Sequence, residues 1–142
     1  MAKLSEKHPH ESEIAHTLLE PFRTAFRTRE SMMKIYLSGP MRGYDRNNFP
    51  TFDRAAAFLR GCGYEVFNPA ERDRETYGPE IEFRNVKGFD IRDVLGADLA
   101  WICQHADGIA MLYGWENSKG AKAEWATALA LNLHVRYLSA DL

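Results

Sequence analysis

Short apolar segments typical of strands alternate with segments of helical periodicity along residues 34–138. The strand-like segments are 35–38, 64–67, 108–113 and 134–138. Helical spacing is found at 49–60, 91–105 and 121–131, while 70–88 is polar and is predicted as loop with some helix. Such alternation favours a parallel sheet covered by helices on both faces. We therefore predict an α/β fold, a single-domain doubly wound parallel sheet (flavodoxin/Rossmann-like) of about five strands with flanking helices.

The first 31 residues differ from this pattern. Their five basic and five acidic residues cancel in charge, and Pro21 interrupts a weak helical spacing formed by Ile14, Leu18 and Phe22. We therefore divide the chain into an N-terminal appendage at 1–31, a partly ordered segment or a tail, and an α/β domain at 32–142. No catalytic role is expected in the appendage.

Charge and composition exclude several classes of function. The 142 residues contain 18 Lys and Arg against 20 Asp and Glu, a balance that argues against binding of a nucleic-acid backbone. No apolar run approaches the roughly 18 residues that span a bilayer, so no membrane partner is expected. Cys62 and Cys103 form no disulfide framework, which favours a cytoplasmic location. The histidines and cysteines lack metal-ligand spacing, so neither a metal nor a cofactor is expected.

A glycine-rich loop, Ser38-Gly39-Pro40-Met41-Arg42-Gly43, follows the first predicted strand. Ligands of such sheets bind at the carboxyl ends of the strands, where this loop would lie. Its two glycines would let the backbone approach an anion, and Arg42 could pair with a phosphate. The loop matches neither a P-loop nor a dinucleotide fingerprint, and taken alone it is better explained as a plain strand-to-helix turn with a solvated arginine.

A second candidate loop, 114–120, leads into the last predicted helix. Ser118 and Gly120 lie where free backbone N–H groups and the helix dipole attract anions, although Ser118 could simply cap the helix. Trp115 in this loop could cover a base or pack in the core. Glu124 follows in an alanine-rich stretch, which suits a helix packed closely on the sheet, so its carboxylate is a candidate for chemistry as well as a stabilising acid near a helix start.

Four aspartates precede the third predicted strand, and one of them could act as an acid/base partner of Glu124; they are Asp90, Asp93, Asp98 and Asp107. Their positions alone do not decide which one does so.

Taken together, residues 34–132 resemble the nucleoside 2-deoxyribosyltransferase superfamily. The resemblance is closest to its 2′-deoxynucleoside 5′-phosphate N-hydrolase branch. It rests on the segments 35–43 and 98–102, on Ala106-Asp107, and on Ser118-Lys119-Gly120 followed six residues after Ser118 by Glu124, with Ala128. The chain also resembles an uncharacterised phage-type subgroup that carries Asn68-Pro69-Ala70-Glu71 and Gly114-Trp115-Glu116.

The resemblance implies hydrolysis of the N-glycosidic bond of a nucleoside 5′-monophosphate, with a role for each matching residue. Glu124 would attack C1′ of the sugar, Asp98 would protonate or hydrogen-bond the leaving base, and Tyr36 would orient Glu124 or the sugar. The implied phosphate-binding residues are Arg42, Gly43, Ser118 and Gly120. The implied base or sugar contacts are Ser38, Gly39, Met41 and Trp115.

Other interpretations stay open at this point. The transferase branch of the superfamily exchanges bases between nucleosides, and a nucleotide-binding or sensing module would use the same residues without turnover. The segment from Asp98 to Asp107 is one residue longer than the hydrolase pattern, and such an insertion rotates a helix by about 100°. Asp93 could then serve in place of Asp98. The resemblance also implies a homodimer or higher homo-oligomer.

Overall fold

The computed structural model describes residues 32–84 and 91–142. The appendage predicted at 1–31 and the candidate Asp90 lie outside these residues. Strands and α-helices alternate along the described chain in the order β1 Lys34–Ser38, α1 Phe49–Gly61, β2 Glu65–Phe67, α2 Pro69–Tyr77, α3 Ile91–His105, β3 Gly108–Met111, α4 Lys119–Ala130 and β4 His134–Tyr137. Short 3₁₀ turns connect them at Asp45–Asn48, Pro79–Phe83 and Trp115–Asn117.

The four strands form one parallel sheet in the order β2-β1-β3-β4. In its register, Tyr36 of β1 lies opposite Phe67 of β2 and Ile109 of β3. The chain steps from β1 outward to β2 and then crosses back to β3 on the other side of β1. The predicted doubly wound α/β fold is therefore confirmed, with four strands in the described residues against the expected number of about five.

Alternation along β1 divides the core into two layers. Ile35 and Leu37 pack in the layer that contains α1, whereas Tyr36 belongs to the layer formed with α3 and α4. Successive side chains of a strand point to opposite faces, so Ser38 shares the face of Tyr36. The central strand thus presents its apolar residues to one layer and two hydroxyl groups to the other.

Helix α2 occupies about half of the segment 70–88, which was predicted as loop with some helix. The side chain of Asn68 accepts a hydrogen bond from the backbone N–H of Ala70 at 3.0 Å, and Pro69 occupies the first turn. An Asn cap followed by Pro favours a helix start. Arg60 of α1 then holds Glu71 through two hydrogen bonds of 2.5 and 2.8 Å. The Asn68–Glu71 motif is therefore a helix start that is anchored to α1.

No helix within 32–84 or 91–142 is long and apolar enough to cross a membrane.

Gly39, where β1 gives way to the glycine-rich loop, is required by packing. A Cβ atom at this position would lie 2.7 Å from Leu112 Cβ and 2.9 Å from Leu112 Cδ1. Leu112 is fully buried, so it has little room to move. Gly43 meets a different constraint, because its φ of +82° is a conformation that other residues rarely adopt.

We expect Gly39→Ala to lower the free energy of unfolding by about 1–3 kcal/mol, because overpacking forces a buried side chain from its rotamer. Gly61→Ala is the matched control, since a Cβ atom added there, at the end of α1, would have no neighbour within 4 Å. Chemical denaturation of both variants measures the difference. Equal stability of Gly39→Ala and the unaltered protein would contradict this account of Gly39.

Candidate active site

A cavity of about 410 Å³ opens at the carboxyl ends of β1 and β3. This is the place where the strand order reverses, and open α/β sheets bind ligands there. Its volume lies within the range of small-molecule sites. The wall combines apolar side chains from α1 and α3 with polar groups from β1, α2 and α4.

Glu124 lies at the base of this cavity on the buried face of α4, in line with Ala121 and Ala128. The small alanines let the helix approach the sheet closely. The Tyr36 hydroxyl donates a hydrogen bond to Glu124 Oε2 at 2.8 Å, and the Ser38 hydroxyl donates to Oε1 at 2.7 Å. Both carboxylate oxygens are therefore held by β1.

The electrostatics of Glu124 are unusual for a glutamate. Burial raises the pKa of Glu124 to about 8, and the negative charge of Asp98 adds to the shift. The hydrogen bonds from Ser38 and Tyr36 and the charge of Arg72 oppose this shift. Burial, with the neighbouring carboxylates of Glu124 and Asp98, raises the pKa of Tyr36 well above its ordinary value, so the phenol keeps its proton.

Asp98 forms the second part of the site. Its side chain projects from α3, is 6% exposed and lines the cavity. Arg72 of α2 hydrogen-bonds Asp98 through Nη1 and contacts Asp73 Oδ1 through Nη2 at 3.3 Å. Burial raises the pKa of Asp98, while Arg72 acts against this shift.

The start of α4 forms the cationic part of the cavity. Ser118, Lys119 and Gly120 line it, as does Arg42 from the loop after β1. Ser118 Oγ accepts a hydrogen bond from the backbone N–H of Ala121 at 3.1 Å, so Ser118 caps the helix. First-turn N–H groups and a helix dipole attract anions, and the two cationic side chains add to this preference.

The loop that carries Arg42 is fastened at its far end by Asn47. The Asn47 Nδ2 group donates to the backbone oxygens of Ile81, Glu82 and Arg84 at 3.1, 3.3 and 3.1 Å. Arg46, Asn47 and Asn48 all have positive φ angles, between 51° and 60°. Three consecutive left-handed residues are costly, and the hydrogen bonds of Asn47 help to hold this conformation.

The structure brings together most of the residues that the sequence singled out. Those that line the cavity are Tyr36, Gly39, Met41, Arg42, Asp98, Ser118, Gly120 and Glu124. Ser38 contacts Glu124. Two residues lie elsewhere: Gly43 is exposed outside the lining, and Trp115 packs on Trp125 and Tyr137 at ring-centroid distances of 5.1 and 5.9 Å.

The structure also distinguishes among the aspartates. Asp98 faces the cavity, whereas Asp93 is exposed and is not part of its lining. Asp107 accepts a hydrogen bond from the backbone N–H of Lys34 at 2.8 Å, at the start of β1 and away from the cavity. Asp98 therefore lies on the side of α3 that faces the same cavity as Glu124.

Sequence reasoning missed several residues of the site. Arg72 and Asp73 were not singled out, although they lie in the segment 70–88 that was predicted as loop with some helix. A helix start at Asn68-Pro69 was the available signal, since it places the next turns at the carboxyl end of β2. The other missed wall residues come from separate elements and carry no joint sequence signal; among them are Tyr44, Asn47, Phe49, Phe52, Pro69, Ile81, Ile91, Val94 and Leu95. In the described part of the chain, no cluster of three or more His, Cys, Asp or Glu could hold a metal ion.

Fold and site together define a Rossmann-like α/β domain with a buried carboxylate at the floor of a ligand-sized cavity. The chain belongs to the family described as Domain of unknown function (DUF4406), which it matches over residues 33–137. No curated protein matches the chain significantly. The family match covers all four strands and the whole of the described cavity lining.

The raised pKa of Glu124 gives a pH dependence of stability. Between the ordinary glutamate pKa and about 8, the folded protein holds a proton that the unfolded chain releases, so its stability falls as pH rises. Glu124→Gln removes this titration. We compare the free energies of unfolding of the variant and the unaltered protein. From pH 5 to pH 8 we expect the difference to shift in favour of the variant by more than about 1.4 kcal/mol, the equivalent of one pKa unit.

Urea denaturation at a series of pH values measures this gain, and Glu116→Gln at an exposed position serves as the control. A constant difference between Glu124→Gln and the unaltered protein across this range would show that Glu124 does not titrate there.

Proposed function

We propose that this protein hydrolyses the N-glycosidic bond of a nucleoside or deoxynucleoside 5′-monophosphate. The observation that carries the proposal is the Glu124 carboxylate, held by two hydroxyl groups at the floor of a cavity that contains a second buried carboxyl and a cationic part. The resemblance of residues 34–132 to the N-hydrolase branch of the nucleoside 2-deoxyribosyltransferase superfamily points to the same reaction.

Glu124 is the nucleophile in this proposal. Its Oε atom attacks C1′ of the sugar, the bond between C1′ and the base nitrogen breaks, and a glycosyl ester forms on Glu124. The hydrogen bonds from Tyr36 and Ser38 support this role, because they fix the carboxylate and favour its ionised form. Water then attacks C1′ and releases the sugar 5-phosphate together with free Glu124.

Asp98 supplies the proton that the departing base needs. Burial raises the pKa of both carboxyls, so the pair retains a proton where ordinary carboxyls would be fully ionised. The reaction requires this proton on Asp98 and Glu124 in its ionised form, so the proton that Glu124 holds below about pH 8 moves to Asp98 before the attack and from there to the base. Asp98 then takes a proton from the attacking water in the second step, as retaining glycosidases do.

The cationic part of the cavity supports a phosphorylated substrate. Arg42 and Lys119 supply positive side chains, and the first turn of α4 supplies backbone N–H groups near Gly120. Such a combination binds phosphate well. The transferase alternative acts on substrates without this group, so the anion-binding features favour the hydrolase. The homo-oligomer that the resemblance implies and the cytoplasmic location stay predictions.

The first test is incubation of the protein with ribo- and deoxyribonucleoside 5′-monophosphates, followed by chromatography for free base. We expect base release, and a loss of roughly 10³-fold or more in Glu124→Gln, because a neutral amide cannot attack C1′. Glu116→Gln is the matched control and should keep full activity.

Three other results are informative. A new nucleoside formed when a second base is supplied would indicate base exchange. Saturable binding without any product would indicate a binding or sensing module. Base release that survives in Glu124→Gln would exclude the covalent mechanism.

A second test concerns the phosphate. We expect Arg42→Gln to raise KM for a monophosphate by about 10–100-fold, the value of a hydrogen bond to a charged group, with little change for the unphosphorylated nucleoside. Arg54→Gln on the exposed side of α1 is the control. An equal rise in KM for the monophosphate and for the unphosphorylated nucleoside would show that Arg42 does not bind the phosphate.

A further inference from the structure

One ionisable side chain of the cavity has no part in the proposed chemistry. Asp73 projects from α2, is 8% exposed and lines the cavity together with Asp98. Carboxylates are rarely buried to this degree unless they are paired, and one that faces a ligand cavity is available to a ligand. Among the described residues that line the cavity, Asp73, Asp98 and Glu124 are the three carboxyls.

Arg72 fixes Asp73 in place next to Asp98. Its Nη2 atom contacts Asp73 Oδ1 at 3.3 Å, while its Nη1 atom is hydrogen-bonded to Asp98. The guanidinium also lies over the Phe67 ring at 5.6 Å, and Phe67 stacks on Tyr36 at 5.4 Å. The two aspartates are therefore held on adjacent nitrogens of one immobilised guanidinium.

The position of Asp73 determines what it can contact. Asp98 is the residue assigned to the departing base, so a base that reaches Asp98 also lies beside Asp73. An ionised carboxylate only accepts hydrogen bonds. It attracts an exocyclic amino group and repels the carbonyl oxygen that replaces this group in a deaminated base. Burial raises the pKa of Asp73, but the adjacent guanidinium of Arg72 favours its ionised form.

We propose that Asp73 is a specificity-determining residue that selects a base carrying an exocyclic amino group over its deaminated counterpart. This inference rests on the proposed function, because it takes the nucleobase to lie against Asp98. It implies that the substrate is a nucleotide whose base carries an exocyclic amino group, such as adenine or cytosine.

The test compares two matched pairs of 2′-deoxynucleoside 5′-monophosphates: those of adenine against hypoxanthine, and of cytosine against uracil. Binding is measured by calorimetry in Glu124→Gln, in which the proposed cleavage is blocked, and base release is measured in the unaltered protein. We expect at least one pair to show a preference of about 10-fold or more for the aminated member, the value of one hydrogen bond to a charged group.

Asp73→Asn is introduced both into the unaltered protein and into Glu124→Gln. It should bring the ratio between the aminated and the deaminated member close to one, because an amide has both a donor and an acceptor and tolerates either base. If Asp73 had a purely structural role, Asp73→Asn would weaken the binding of both members of a pair equally. Asp93→Asn on the exposed side of α3 is the matched control and should keep the preference. Asp73→Ser, which also combines a donor and an acceptor, takes its place if Asp73→Asn does not fold.

Equal binding of both members in the two pairs would overturn the inference, and so would a preference that survives both substitutions of Asp73. The failure of the proposed function looks different. Suppose that binding is selective, that Asp73→Asn abolishes the selectivity, and that no nucleotide releases its base. This result would support base selection by Asp73 and contradict the proposed hydrolysis. Base release without selectivity would remove only the role of Asp73.

Discussion

The burial of the Glu124 carboxylate against the central strand is the constraint on which the site depends. A carboxylate removed from water requires hydrogen-bond donors, and β1 supplies two of them from alternate positions, Tyr36 and Ser38. These donors can reach Glu124 only because the alanines of α4 let the helix lie close to the sheet. The same strand places Ile35 and Leu37 in the opposite layer, so its two-residue period builds the core and the site together.

A second constraint follows from the balance of charge inside the cavity. Three buried or nearly buried carboxyls approach one guanidinium, that of Arg72, which contacts Asp73 and Asp98 directly. Arg72 alone does not offset the burial of three carboxyls, so the pKa values of Asp73, Asp98 and Glu124 are all raised and the group tends to retain a proton. Two of these three carboxyls, Asp98 and Glu124, are the groups that the proposed glycosidic cleavage uses, because that reaction needs both a carboxylate and a stored proton.

The fold was largely predictable because its signals are local. Apolar runs and helical spacing gave all four strands and three of the four helices, and the topology rules for α/β proteins gave the parallel arrangement. Helix α2 was predicted only as part of a loop with some helix, since its polar surface hides the apolar period and its start is marked only by Asn68 and Pro69. Glu124, Tyr36 and Asp98 were found in sequence, but the contacts between them depend on how α3 and α4 pack. The importance of Arg72 and Asp73 depends on their neighbours in space, which the sequence does not show. Trp115 belongs to an aromatic cluster with Trp125 and Tyr137, and its residue type alone does not decide between this packing and contact with a base.

Two of the three tryptophans, Trp101 and Trp115, pack beside different parts of the site, and this makes them natural optical reporters. Trp115 belongs to the turn that leads into Ser118, whose backbone N–H donates to the Trp115 oxygen at 3.0 Å. Trp101 packs at 4.7 Å on Phe67, the ring over which the Arg72 guanidinium lies. Indole emission responds to nearby charge and packing, so single-tryptophan variants would separate occupancy of the cationic part of the cavity from occupancy of the part near Asp98, where the base is proposed to bind. The two halves of a ligand would thus be followed independently in real time, without any attached dye.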